Sequence, residues 1–305
     1  MNPETITDPN YAQHQRINWF PGHMKKAFTE ALEKLKQVDL IIEVRDARMP
    51  QGSGNQELEK KMGQKARLVV FNKERFAHAG NFRAWLGYFR SVGLTYVVVD
   101  ALDQRSVKKI LAKARELAAP KQESFKRRGI TPPPVRMMVL GLPNTGKSTL
   151  INSFRGKKQA AVGDRPGITK MQQWVVVDQG LELLDTPGIM PPRIDSDLKG
   201  LGLCAIHAIR DEIPGPMRLA KFLSRLLAEQ KPQECWQRYG LDREPQNGDE
   251  ILEAAATWYG ALRKGGEVDW SNIYAGLIQD YRKGNLGPLW FEEPPEPTGK
   301  GIPVA

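Results

Sequence analysis

The stretch Gly141-Leu142-Pro143-Asn144-Thr145-Gly146-Lys147-Ser148-Thr149 constrains this chain more than any other. It matches GxxxxGKS/T in full, follows the apolar run Arg136 to Leu140, and precedes a helix expected to begin near Lys147. Strand, glycine-rich turn and helix in that order make a loop whose backbone N–H groups curl around phosphates. In such a loop Lys147 offsets charge on the β- and γ-phosphates and the Ser148 hydroxyl ligates Mg2+. Asn144, Thr145, Gly146 and Thr149 complete the phosphate-binding set.

The chain upstream agrees with an α/β layer. Apolar, β-branched runs at Leu40 to Val44, Leu68 to Phe71 and Tyr96 to Val99 are separated by helix-length stretches, the pattern of βαβ units around a parallel sheet. The basic stretch Lys108 to Arg136 ends in Thr131-Pro132-Pro133-Pro134, which cannot continue a helix, and its second half, from Pro120, reads as a linker. Past the phosphate loop, Gln173 to Val177 and Leu181 to Leu184 flank Asp178-Gln179-Gly180, a hairpin turn. Six strands result, one pair antiparallel.

Beyond Pro191-Pro192 the pattern turns helical. Leu219, Phe222, Leu223, Leu226 and Leu227 share one helix face, as do Ile251, Leu252, Ala255, Trp258, Tyr259 and Leu262, and then Ile273, Tyr274, Leu277, Ile278 and Tyr281 after a Ser271 cap. These stripes read as core. Arg218, Lys221, Arg225, Arg263, Lys264, Arg282 and Lys283 fall on the polar faces, giving a small bundle with a basic exterior. The domains read as a 1–16 extension, a 17–192 α/β domain, a 193–287 helical domain and a poorly ordered 288–305 tail rich in Pro, Glu and Gly.

The formal charge of +10 and a pI near 9.5 favour a polyanionic partner, since lysine and arginine gain by releasing counterions from phosphates, although a solvated basic surface has the same composition. No apolar run approaches a membrane span, and the N-terminus lacks the basic and apolar blocks of a secretory signal, so the expected place is the cytoplasm, with no membrane partner. Cys204 and Cys235 have no metal-ligand spacing, which argues against a disulfide or a zinc site.

Two further elements fit a nucleotide switch. Asp185-Thr186-Pro187-Gly188 fits DxxG, in which Asp185 holds Mg2+ through water and the Gly188 N–H senses the γ-phosphate. Between it and the phosphate loop, Pro166-Gly167-Ile168-Thr169 supplies Thr169 as a second metal-binding hydroxyl. The one candidate for a base-reading NKxD loop, Asn72-Lys73-Glu74-Arg75, lies before the phosphate loop, whereas that motif ordinarily follows DxxG. The motif order is permuted. The new ends fall just after DxxG, which tethers the helical domain to the segment that rearranges when the γ-phosphate leaves.

With Asn18-Trp19-Phe20-Pro21-Gly22-His23-Met24 and Arg45-Asp46-Ala47-Arg48-Met49-Pro50 added to these motifs, the sequence from about 17 to about 286 resembles the circularly permuted GTPases of the YlqF, or ribosome biogenesis GTPase A, family. The resemblance implies a P-loop GTPase that takes GTP and GDP with Mg2+ and acts in late assembly of the large ribosomal subunit; a monomer is expected, although the sequence does not fix the oligomeric state. It also implies a C-terminal helical domain touching rRNA and ribosomal proteins. It makes His23 a candidate to position the attacking water, because Ile189 occupies the place after DxxG where a glutamine often serves; the alternatives for His23 are packing or an RNA contact. Asn144 becomes a candidate K+ ligand, or else a loop hydrogen-bonder.

Two positions depart from the family. Arg75 stands where a guanine-reading aspartate is expected, and Asp100-Ala101 stands where relatives have Ser-Ala, leaving Ala101 able to offer its N–H to the guanine carbonyl. An arginine has only donors to present to a donor edge. The expectation is therefore a weakened guanine preference with some tolerance of ATP, unless Glu74 shifts into the site or the Arg75 side chain swings away. The rival readings are a nucleotide-binding RNA scaffold with little hydrolysis and a hydrolase of relaxed ATP/GTP specificity.

Overall fold

A computed structural model describes residues 17, 22–63, 65–159, 174–184, 194–260 and 268–296. The chain divides into two compact units, one comprising Phe20–Arg75 and Leu86–Pro192, the other Met1–Trp19, Phe76–Trp85 and Arg193–Ala305.

The first unit is built on six strands: β1 (Leu40–Asp46), β2 (Ala66–Asn72), β3 (Tyr96–Val99), β4 (Val135–Gly141), β5 (Trp174–Asp178) and β6 (Leu181–Leu184). They lie in the order β3-β2-β1-β4-β6-β5, all parallel except the β5/β6 hairpin. The strands expected from the sequence are the strands observed. β1 is buried at every position, as a parallel strand covered on both faces must be. Its even positions Leu40, Ile42 and Val44 join Leu68, Val70, Val139 and residues of α4 (Gln104–Arg127) and α5 (Lys147–Gln159) in one core. Its odd position Ile41 packs with α1 (Gly22–Leu35) and α2 (Gln56–Met62) on the opposite face. There Glu43 and Arg45 are buried as well, tied to each other and to Arg67 and Glu59. Ions so deeply placed persist only when paired.

The expected linker from Pro120 is helix instead. α4 runs 24 residues, from an Asp103 cap through Pro120 to Arg127. Pro120 and Glu116, the residue whose carbonyl the missing N–H would have met, are both exposed, so water can satisfy that carbonyl and the helix survives the proline. Only 128–134 connects α4 to β4.

The second unit contains α6 (Asp197–Ala205), α7 (Pro216–Gln230), α8 (Gln233–Tyr239), α9 (Gly248–Tyr259) and α10 (Trp270–Lys283), together with the first two turns of α3 (Ala79–Ser91). The apolar stripe of α7 is buried, as are Ile273, Leu277, Ile278 and Tyr281 of α10 and Ile251, Leu252 and Ala255 of α9, while Tyr274 is half-buried. Trp258 departs from its expected core role: in the last turn of α9 it is 50% exposed, with the Arg238 guanidinium 4.8 Å above its ring. Leu262, Arg263 and Lys264 lie outside the described residues. The cap of α10 is Asp269, whose carboxylate accepts the Asn272 N–H, two residues earlier than the expected Ser271. Arg218 and Arg282, expected on a basic exterior, are largely covered because each has a carboxylate: Asp197 for the first, and Asp211 with the Cys204 and Ala205 carbonyls for the second. Lys221 and Lys283 are exposed. Both cysteines are buried and unpaired, their thiols pushed up to about 12 by burial.

Residues 288–296, placed by the sequence in a poorly ordered tail, form a strap within this unit. Leu289 is fully buried and makes a parallel bridge with Ala77; the Glu292 carbonyl accepts from Asn81 Nδ2 and Trp85 Nε1. Trp290 exchanges two backbone hydrogen bonds with the Gln230 side chain and stacks near His78, while Phe291 sits against Phe222 and Tyr281. Proline limits regular pairing here, but the aromatics between the prolines carry enough apolar area to dock.

Candidate functional site

Parallel strands place their C-terminal ends along one edge of the sheet, where α/β folds bind ligands. The register sets Asp46 beside Asn72, Asn72 beside Val99, and Val44 beside Gly141. The loops leaving these strands are therefore neighbours, although they are distant in sequence.

The phosphate loop leaves β4 at Gly141, whose φ of +152° and close approach to the Val44 carbonyl, 2.4 Å from where a Cβ would stand, admit no side chain. Asn144 adopts a left-handed φ of +58°. Gly146, at +100°, lies so near Asn72 that a Cβ would come within 2.1 Å of Nδ2. α5 then starts at Lys147, aiming its first N–H groups into the loop. Ser148 is exposed on that first turn, and Thr149 accepts Ser153 Oγ through its carbonyl. Thr145 Oγ1 and Lys147 Nζ both donate to the Leu142 carbonyl, at 2.9 and 2.5 Å.

Lys147 is 6% exposed, and among the described residues it meets no carboxylate. Burial, and then the neighbouring Lys73, push its ammonium down to about 8. A buried cation without a counter-charge, at a helix N-terminus, is a cradle for an anion, and a triphosphate with its Mg2+ fits those donors.

Asn72 ties three loops together: its Nδ2 donates to the Thr145 carbonyl at 2.9 Å, and its Oδ1 accepts the Ala101 N–H at 3.0 Å. The Ala101 N–H, expected to be free for a base, is engaged here in fixing Asn72. Lys73, at φ +65°, reaches the Asn144 carbonyl and pairs with Asp46 at 3.0 Å. Burial alone would raise the Asp46 carboxyl; Arg48 and Lys73 outweigh it and hold the group at about 2. Glu74 and Arg75 follow in an exposed 3-10 turn, and Arg75 Nη1 meets Asp100 Oδ2 at 3.2 Å.

The structure thus gathers Asn72, Lys73, Asp100, Ala101, Asn144, Thr145, Gly146 and Lys147 at one edge. His23 stands in the first turn of α1, its side chain outside the description. Thr169, Asp185 and Gly188 also lie outside the described residues. Sequence reasoning missed Asp46, Arg48 and Ser53, whose hydroxyl accepts the Asp46 N–H. The signal was there: three charges in Arg45-Asp46-Ala47-Arg48, at the end of a strand that begins Leu40-Ile41-Ile42, mark a turn held by ion pairs rather than by packing.

Comparison with known proteins identifies the family. A family model described as 50S ribosome-binding GTPase matches residues 136–213. Ribosome biogenesis GTPase A of Bacillus licheniformis is 38% identical over 278 residues, which cover 91% of this chain and 98% of that protein. Mitochondrial ribosome-associated GTPase 1 of Xenopus tropicalis is 30% identical, covering 93% and 96%. Among solved structures, GNP-bound YlqF from T. maritima aligns with a TM-score of 0.61 at 26% identity, covering 88% of this chain and 98% of that one.

Proposed function

Because this chain belongs to the ribosome biogenesis GTPase A (YlqF) family, we propose that it is a GTP-hydrolysing switch acting in assembly of the large ribosomal subunit. The observation that carries the reading is the buried Lys147, which meets no carboxylate among the described residues, inside a loop that Asn72 locks to the base-side segment at Ala101. Phosphate site and base site are one hydrogen-bonded unit, so a nucleoside triphosphate is held at both ends.

In this reading Lys147 and the N–H groups of Thr145, Gly146, Lys147, Ser148 and Thr149 bind the phosphates, and Ser148, Thr169 and Asp185 hold Mg2+. The metal, when bound, spreads charge off the β- and γ-oxygens. Gly188 N–H senses the γ-phosphate. His23 positions water, and Asn144 ligates K+ through its side chain while its carbonyl stays with Lys73. The rest of the chain supplies the partner surface: Lys221, Lys283 and the exposed rings of Trp258 and Trp270 suit rRNA, through phosphate pairing and stacking. The α/β domain takes up about 17–192 apart from Phe76–Trp85, which belongs with the helical domain of about 193–287 and its strap, and the protein is monomeric in the cytoplasm. Among the described residues no helix is long and apolar enough to cross a membrane.

Phosphate release from GTP and from ATP, measured with and without large ribosomal subunits and with K+ or Na+, tests this. Slow GTP turnover that subunits accelerate is the expected result. No release under any condition would leave a nucleotide-binding scaffold, and equal use of ATP would make the base site indiscriminate.

A further inference from the structure

The base-reading loop lacks its carboxylate at position 75, yet a carboxylate stands opposite. Asp100 lies on the loop after β3, one residue before Ala101, and pairs with the Arg75 that occupies the vacated position. We propose that Asp100 is the residue that reads guanine in this protein, with Arg75 as its positioning residue; this rests on the site being a GTP site.

The hydrogen-bonding capacity fits. An ionised carboxylate offers about four acceptor directions. Among the described residues two are engaged: Oδ1 accepts the Leu102 N–H at 3.0 Å, and Oδ2 accepts from Arg75 Nη1 at 3.2 Å. Two remain, the number that guanine needs for N1–H and one N2–H. The backbone is fixed as well, because the Asp100 N–H donates to Ser106 Oγ, Ser106 is buried, and the Ala101 carbonyl accepts Ser153 Oγ. The loop therefore presents Asp100 from a rigid base beside Asn72, which holds the Ala101 N–H. Asp100 and Arg75 are 40% and 57% exposed, so the carboxylate is open to a ligand, and a pair this exposed adjusts at little cost.

Arg75 thereby ceases to be a defect. An arginine facing the donor edge of guanine would repel it; bound to Asp100, the same arginine turns its donors away and sets the acceptor oxygens. The two departures from the family pattern compensate each other, and guanine preference is retained.

The test is a change of base in full-length protein. Asp100→Asn keeps one acceptor oxygen but puts an amide donor where guanine presents N2–H2, while xanthine presents a carbonyl there. Wild type should prefer GTP to XTP, and D100N should move the GTP/XTP affinity ratio toward XTP by about 100-fold, as one hydrogen bond to guanine is lost and one to xanthine gained at about tenfold each. Arg75→Ala should weaken GTP binding by roughly 3- to 10-fold without altering the order of bases. D100N that still prefers GTP, or that loses both nucleotides equally with an unchanged circular dichroism spectrum, overturns the assignment. Failure of wild type to bind any triphosphate would instead overturn the GTP site itself.

Discussion

Gly146 has room for a hydrogen atom and nothing larger. A methyl group there would meet the amide with which Asn72 holds the Thr145 carbonyl, and φ of +100° is itself unfavourable for any L side chain. Gly146→Ala should therefore uncouple phosphate loop from base loop and lower GTP affinity at least about tenfold, measurable by titration calorimetry. Lys147 gives a pH signature. Its ammonium sits near 8 in the free protein, and an anionic phosphate must raise that value, so binding is fully favoured below about 8 and weakens as pH climbs past it. The fall should approach tenfold per pH unit, and Lys147→Met should abolish it along with most of the affinity. The sign for folding is the reverse: a depressed lysine opposes the folded state below about 8, and that penalty lifts as pH rises toward 10.5. The letters of the phosphate loop were legible in the sequence. What Asn72 does was not, because its partners lie 73 and 29 residues away and meet it only through strand register. The Arg75–Asp100 pair was hidden for the same reason: each residue alone reads as a lost contact, and only adjacency shows the exchange.

Among the elements, the strands were the easiest to find, since runs buried on both faces are mostly apolar, with the paired Glu43 of β1 an exception, and end at glycine, proline or charge. α4 was misjudged because a proline stops a helix only when the carbonyl it abandons has nowhere to turn, and exposure cannot be read from one residue. The 288–296 strap was misjudged on composition: Pro and Glu suggested disorder, while Leu289, Trp290 and Phe291 carry the docking. Leu289→Ala removes a fully buried side chain and should cost the helical unit about 2 to 5 kcal/mol, visible as a drop in its unfolding midpoint. Trp258→Ala, at a half-exposed ring, should leave that midpoint nearly unchanged and weaken rRNA binding instead; the reverse result would make Trp258 structural after all.

At the level of the whole molecule, a net charge of +10 predicts that association with rRNA falls with salt, by on the order of tenfold or more between 50 and 200 mM if a handful of phosphates are neutralised. Filter binding across that range checks it, and a flat response would mean the positive charge is spent on internal pairs such as those of Arg218 and Arg282. Because α6 follows DxxG within a few residues of chain, exchange of a GTP analogue for GDP should also change the distance between spin labels placed on α4 and α9.

The helical unit is not a continuous stretch of chain, because Phe76–Trp85 belongs to it and is separated from Arg193 by most of the α/β unit. During translation this decapeptide emerges more than two hundred residues before Leu289, the residue its Ala77 pairs with. Ala77, Phe82 and Trp85 must then wait, apolar, until Leu289 and its neighbours have been made. A shortened gene ending near 192 would leave that strip permanently without its cover, and its product is expected to aggregate unless those side chains are made polar.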